Sequence, residues 1–174
     1  TAEILDEETW MQLIHDFFQN HDPESPQIWL LPFEFYEYTL DKEYATKLNK
    51  PWLNDLLYFE WMEIEVHTMP DEEKPEKIIS PGDLFEDPLT INPEYRLIQL
   101  EYPVHLVPAT ESTQQKGDYF ILLSRDPEDG RVNFFNLSLL HAWVFENLDG
   151  VTTVSKMFPK IAQIFGIDSE KVLK

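Results

Sequence analysis

The feature that most constrains this chain is a change of hydrophobic period, from about 3.6 residues to 2, across a proline-rich stretch near its middle. Before that stretch apolar residues recur at spacings of three and four. In Glu7–Asn20 they are Trp10, Leu13, Ile14, Phe17 and Phe18, which predicts an amphipathic helix with Asp6 as its N-cap and acidic residues in its first turn. The two prolines of His21-Asp-Pro-Glu-Ser-Pro26 break it. A second helix is expected over Ile28–Leu40, with Pro32 suited to its first turn, then a short turn of helix around Lys42–Lys47. A third, Trp52–Thr68, opens at Pro51 and ends before Pro70.

Residues 69–93 hold five prolines and many charges, and should form an extended, surface-lying connector. Beyond it, Ile98, Leu100, Tyr102, Val104 and Leu106 alternate with other residues in Arg96–Val107, which predicts a half-buried strand with Pro103 at an edge or bend. Asp118–Arg125 and Arg131–Leu137, joined by Asp126-Pro-Glu-Asp-Gly130, read as a β-hairpin. Ser138 should cap a helix over Leu139–Leu148, closed by Gly150. Thr152 or Thr153 should cap another that reaches Phe165, with Pro159 expected to kink or split it, and Asp168 or Ser169 should begin a third. The expected fold is therefore α+β: an N-terminal helical bundle over 1–70, a connector over 71–93, and over 94–174 a small β-hairpin plus helix-turn-helix, winged-helix-like module.

Charge narrows the function. The chain carries 33 Asp and Glu against 13 Lys and Arg, a net charge of -20. Residues 1–80 hold 19 acidic and 5 basic side chains, whereas 118–174 hold 8 and 6. Such a field repels phosphate backbones and anionic membranes, so nucleic acid is an improbable partner and no membrane partner is expected. With no cysteine there is no disulfide and no thiolate metal site. No apolar run approaches a membrane span and no signal peptide is recognisable, so a cytoplasmic location is expected. Thr1 leads almost directly into a helix pattern, and the far end reads as a helix cut short, so both termini are expected to be boundaries within a longer protein.

Chemistry-bearing motifs are scarce. His15, His21, His67, His105 and His141 show no ligand pairing, and each reads better as an isolated surface or core histidine. Glu60, Glu63 and His67 can share a helix face, but a solvated acidic face explains that spacing more cheaply than a carboxylate metal site. No phosphate loop or nucleophile elbow occurs. No catalytic residue, metal site or cofactor is expected. Two features point to binding. One is the aromatic load of residues 10–62, which would form an apolar interface wherever it lies outside the core; Glu60, Trp61 and Ile64 are its candidate partner-binding residues. The other is the C-terminal module, whose candidate peptide-accepting edge strand comprises Tyr119, Ile121, Val132 and Phe134. A helix-turn-helix would have only Lys156 and Lys160 on its recognition helix, poor equipment for reading bases.

Thr9–Leu40 followed by WLNDLLYFEWMEIEVHTMPD resembles the HvfC/MbnC-like family in three respects: a helix ending near a Ser-Pro pair, a Phe-rich helix, and a helix carrying Leu53, Leu56, Glu60 and Trp61. The stretch from Asp118 to Asp168 is similar to that family's C-terminal module and, in its order of helix, Leu-Asp-Gly, Thr-Val and helix, to the PqqD-type peptide chaperones. These are two-domain bacterial proteins whose helical part is catalogued as a DNA-binding domain. The resemblance implies a non-catalytic accessory subunit of ribosomal peptide maturation, pairing with a barrel-type, iron-dependent metalloenzyme and its precursor (leader) peptide. It also implies that the chain lacks the first helices of such proteins. A DNA-binding transcriptional regulator is the alternative reading, and an enzyme with a dispersed active site is the second alternative.

Overall fold

A computed structural model describes residues 5–72, 82–108, 111 and 115–166. Among them are six α-helices and a three-stranded antiparallel sheet, an α+β fold with helices first and the sheet and further helices after. The chain divides into two compact units that are not consecutive stretches: residues 1–68 with 99–119, and residues 69–98 with 120–174. The linear division expected from the sequence differs in that respect, because the segment after the first strand returns to the helical unit.

In the first unit, α1 (Glu7–Asn20) begins where expected, and the Asp6 carboxylate accepts the Thr9 N–H at 2.9 Å. That cap satisfies one of the donors a helix start leaves unpaired. A single 3-10 turn, Ile28–Leu30, leads into α2 (Leu31–Asp41), with Pro32 in the first turn, where its missing N–H costs nothing. A short α3 (Tyr44–Lys47) follows, and then α4 (Leu53–Thr68). Phe17, Leu53, Leu56, Leu57, Phe35 and Trp52 are buried together as the centre of the unit's core.

The strand expected over Arg96–Val107 is shorter. It ends at Leu100 as β1 (Tyr95–Leu100), and Leu106 is exposed. The physical reason lies in where the next backbone donors go. The N–H groups of Glu101 and Tyr102 both donate to Asp55 Oδ2, at 2.8 and 2.7 Å, and Pro103 has no N–H to offer a ladder. Asp55 thus draws the chain onto α4, and Tyr102 and Val104 join the helical core.

In the second unit, β2 (Tyr119–Arg125) and β3 (Val132–Leu137) form the expected hairpin, in register from Phe120 opposite Leu137 to Arg125 opposite Val132. Its turn closes through the Asp126 N–H to the Arg131 carbonyl at 2.7 Å, with Gly130 at φ 74°. Strand order is β1-β2-β3, so β2 is central. Ser138 caps α5 (Leu139–Glu146) as expected, its Oγ accepting the His141 N–H. Helix α6 (Val154–Phe165) then runs through Pro159 as one element, so the expected split does not occur. Met157, Phe158 and Ile161 are buried on one side of it, among Trp143, Val144 and Leu148, and this packing helps keep the helix continuous despite the missing N–H. Thr153 makes no side-chain cap. The Asp149 carboxylate instead accepts the N–H groups of Val151 and Thr152, at 2.9 and 2.6 Å. Gly150 sits at φ 74°, and an added Cβ would lie 2.6 Å from the Thr90 methyl, so both dihedral and space favour glycine. Residues 73–81 of the connector, and the third C-terminal helix expected at Asp168 or Ser169, lie outside the described residues.

A buried ion pair anchors the start of this unit. Arg125 Nε lies 3.0 Å from Glu94 Oε2, with the two side chains 11% and 2% exposed. The same guanidinium donates to the Met69 carbonyl at 2.7 Å and to Asp71 at 2.7 Å, and Glu94 Oε1 accepts the Glu72 N–H at 3.2 Å. One planar fork therefore ties the segment after α4 to the end of β2.

Candidate functional site

The first unit contains an apolar groove of about 360 Å³ walled by three helices. Helix α1 supplies Trp10, Ile14, Phe17 and Phe18, residues whose spacing of four, three and one places them along one face. The 3-10 turn supplies Ile28, and the start of α2 supplies Leu31, Pro32 and Phe35. Helix α4 completes the lining with Leu57, Glu60, Trp61 and Ile64. Glu60 is the one ionisable side chain of the twelve.

Aromatic packing sets the floor. The Phe17 ring meets Phe35 edge-on at 5.2 Å and Tyr38 at 5.4 Å, while Trp10 meets Phe35 at 5.7 Å. Trp61, 6% exposed, packs against Phe33 at 5.3 Å. The lips are open to solvent: Ile28 is 78% exposed and Phe18 56%. Apolar side chains of this size gain by leaving water, so an open apolar groove is a surface that a partner can cover favourably.

Two polar devices hold the walls. The His21 imidazole donates through Nε2 to Glu34 at 2.7 Å, and Glu34 also accepts the N–H groups of Glu24 and Ser25 at 3.1 and 3.3 Å. A buried carboxylate on α2 therefore organises the loop that returns from α1. The His21 hydrogen bond, followed by the backbone donors, holds the Glu34 carboxyl below its ordinary value despite burial. On the far side, the Tyr38 and Tyr44 hydroxyls donate to Asp16 Oδ2 at 2.6 and 2.5 Å, tying α1 to α2 and α3.

Burial, and then the bond to Asp16, pushes both phenols up to about 12 from an ordinary 10.0. Because the folded values are raised, their stabilising effect is complete below about pH 10 and is lost as pH climbs towards 12. A spectrophotometric titration of tyrosinate should therefore show two of the seven tyrosines ionising near pH 12. In Asp16→Asn these two should ionise at lower pH, and unchanged late ionisation would remove Asp16 from the account. The two hydroxyls also hold the Asp16 carboxyl below its ordinary value, so its own contribution is present above about pH 4 and lost as pH falls further.

The candidate partner-binding residues Glu60, Trp61 and Ile64 all line this groove, Trp61 as floor and the other two half-buried. The candidate peptide edge is not held together in the same way. Tyr119 and Ile121 lie on β2, the central strand, where β1 and β3 take the backbone groups on either side, and Ile121 is fully buried. Val132 and Phe134 lie on β3, the edge strand, with Phe134 41% and the adjacent Phe135 49% exposed. A strand-adding peptide could use β3 but not β2. Sequence reasoning missed Ile28 and the groove-facing role of Phe18. The proline-flanked Ile28-Trp29 pair, apolar yet outside the helical period, was the available signal.

Among the described residues no group of three or more His, Asp or Glu could hold a metal ion, and no helix is long and apolar enough to cross a membrane. On the would-be recognition helix α6, Lys156 and Lys160 are exposed, and Lys160 lies 5.3 Å from the Trp143 ring centre. No protein-family model matches the chain, and a comparison with curated proteins finds no match.

Proposed function

We propose that this chain is a non-catalytic accessory subunit that docks a partner enzyme and that enzyme's precursor peptide, in the manner of the HvfC/MbnC-like proteins it resembles. The observation that carries this reading is the open groove of the first unit, which gathers all three candidate partner-binding residues in an almost wholly apolar lining. Apolar, aromatic-rich recesses with an acidic surround are suited to holding another protein chain, and desolvated aromatic anchors supply most of the energy at such interfaces. In this reading the barrel-type metalloenzyme performs the cysteine chemistry, and β3, an edge strand among the described residues, is the candidate site for the peptide.

The test is whether a barrel-type metalloenzyme and a precursor peptide are encoded beside this chain and, when co-expressed with it, associate with it. A stable complex should co-purify, and Ile64→Glu should weaken it at least tenfold, about 1.4 kcal/mol. If the chain associates with neither enzyme nor peptide, the reading fails. Salt-sensitive binding of duplex DNA at micromolar affinity would favour a DNA-binding regulator instead.

A further inference from the structure

We infer that the groove of the first unit receives a short, basic, amphipathic α-helix of a partner protein, rather than an extended peptide or a small molecule. This deepens the accessory-subunit reading and rests on it. Three observations carry it, and each concerns the lining or the helices that form it.

The first is the poverty of polar groups in the groove. Of twelve lining residues only Glu60 offers an ionisable group, and the rest are apolar side chains. An extended segment laid in such a groove would bring a row of backbone N–H and C=O groups against walls whose side chains offer only the Glu60 carboxylate and the Trp10 and Trp61 indole N–H groups as partners, and most of that row would carry an unmet desolvation cost. A helix satisfies its backbone internally and presents only side chains, so an apolar trough selects helix over strand.

The second is length. Along α1, Trp10 to Phe18 spans about 12 Å, and along α4, Leu57 to Ile64 spans about 10 Å, at the rise of 1.5 Å per residue. Apolar anchors at positions i, i+4 and i+7 of an incoming helix span about 10 Å by the same rise. The walls therefore match two turns of helix.

The third is charge. Helices α1, α2 and α4 together carry ten Asp and Glu and contain no Lys or Arg. The nearest lysines in sequence, Lys42, Lys47 and Lys50, follow α2 or lie in and after α3. A partner whose polar face carried acids would be repelled on approach, and one carrying Lys or Arg would be steered in. A second copy of this chain would bring the same sign of charge to the same surface, which disfavours a symmetric pairing through the groove.

The probe is a synthetic peptide of leucine and lysine arranged so that the leucines share one helical face. Two controls accompany it: a scrambled peptide of identical composition, and one with glutamate replacing lysine. Binding is followed by tryptophan fluorescence, and helix gain by circular dichroism. The expected result is saturable binding with helix induction, at least tenfold weaker for the scrambled peptide and undetectable for the glutamate version. Ile28→Glu, at a site 78% exposed that can change without disturbing the core, should weaken it about tenfold, and Glu60→Lys should do likewise.

Equal affinity for the scrambled peptide, or no effect of Ile28→Glu, would reduce the interaction to general charge attraction and overturn the inference. Equal binding of a proline-interrupted leucine–lysine peptide would overturn the helical occupant. Self-association of the wild-type chain that Ile28→Glu abolishes would assign the groove to a second copy. Failure here with the enzyme complex still co-purifying would sink only the helical occupant. Peptide binding without any enzyme complex would sink the accessory-subunit reading instead.

Discussion

Replacing Phe17 by alanine should destabilise the first unit by about 3–5 kcal/mol, a large share of what holds a domain of this size together. The side chain is 1% exposed and stands at the meeting of four rings. It packs against Phe18, Phe35 and Tyr38 at centroid distances of 5.1, 5.2 and 5.4 Å and stacks on His21 at 4.7 Å. Removing the ring leaves a cavity that the neighbours cannot fill without leaving their rotamers, and it forfeits the edge-to-face contacts as well. The adjacent Phe18, 56% exposed, provides the internal comparison: Phe18→Ala should cost under about 1 kcal/mol. Denaturant unfolding of the two variants decides the matter, and equal losses would mean that the buried face of α1 has been misassigned. Phe17→Leu, which keeps most of the volume, should recover more than half of the loss.

Removing Arg125 should cost a comparable amount, about 3–5 kcal/mol, for a different reason. The loss of attraction is the smaller part. Arg125→Met strands the Glu94 carboxylate, 2% exposed on its side chain, without its cationic partner, and leaves the Met69 carbonyl without its donor. The contact to Asp71 adds little, since that carboxylate is 95% exposed and its attraction is screened by water. Adding Glu94→Gln to Arg125→Met should therefore restore part of the stability, because the second change removes the stranded charge. A double-mutant cycle in chemical denaturation measures this directly, and strictly additive losses would show that burial of Glu94 is not what makes the first change costly. Arg125→Lys should fall between, since an ammonium cannot reach carboxylate, carbonyl and second carboxylate from one planar fork.

Much of the molecule was legible from side-chain periodicity. Helix α1 has the expected limits and cap, and the hairpin has the expected turn, because those signals are local: an Asp before a three-four apolar pattern, and Asp-Pro-Glu-Asp-Gly between two alternating runs. That Glu60, Trp61 and Ile64 lie towards one side of one helix was also legible, since their spacing of one and three places them so. What failed was non-local. The strand after Tyr95 stops short because Asp55, 46 and 47 positions earlier in the chain, captures the next two N–H groups. Of the four candidate edge residues, Tyr119 and Ile121 fall on the central strand, because strand order is decided by pairing and β1 occupies the side of β2 that the hairpin pattern leaves open.

By itself, then, the sequence determined most element types, the caps of α1 and α5, the acidic charge and the absence of thiol chemistry, since each depends on residues within a turn or two of one another or on simple counting. Only the tertiary structure decided which large apolar side chains became core and which became lip, so that Phe17 is buried while Phe18 and Ile28 face solvent. Periodicity supplies a direction on each helix. The groove exists where three such directions converge, and that depends on how α1, α2 and α4 pack, which no single segment encodes.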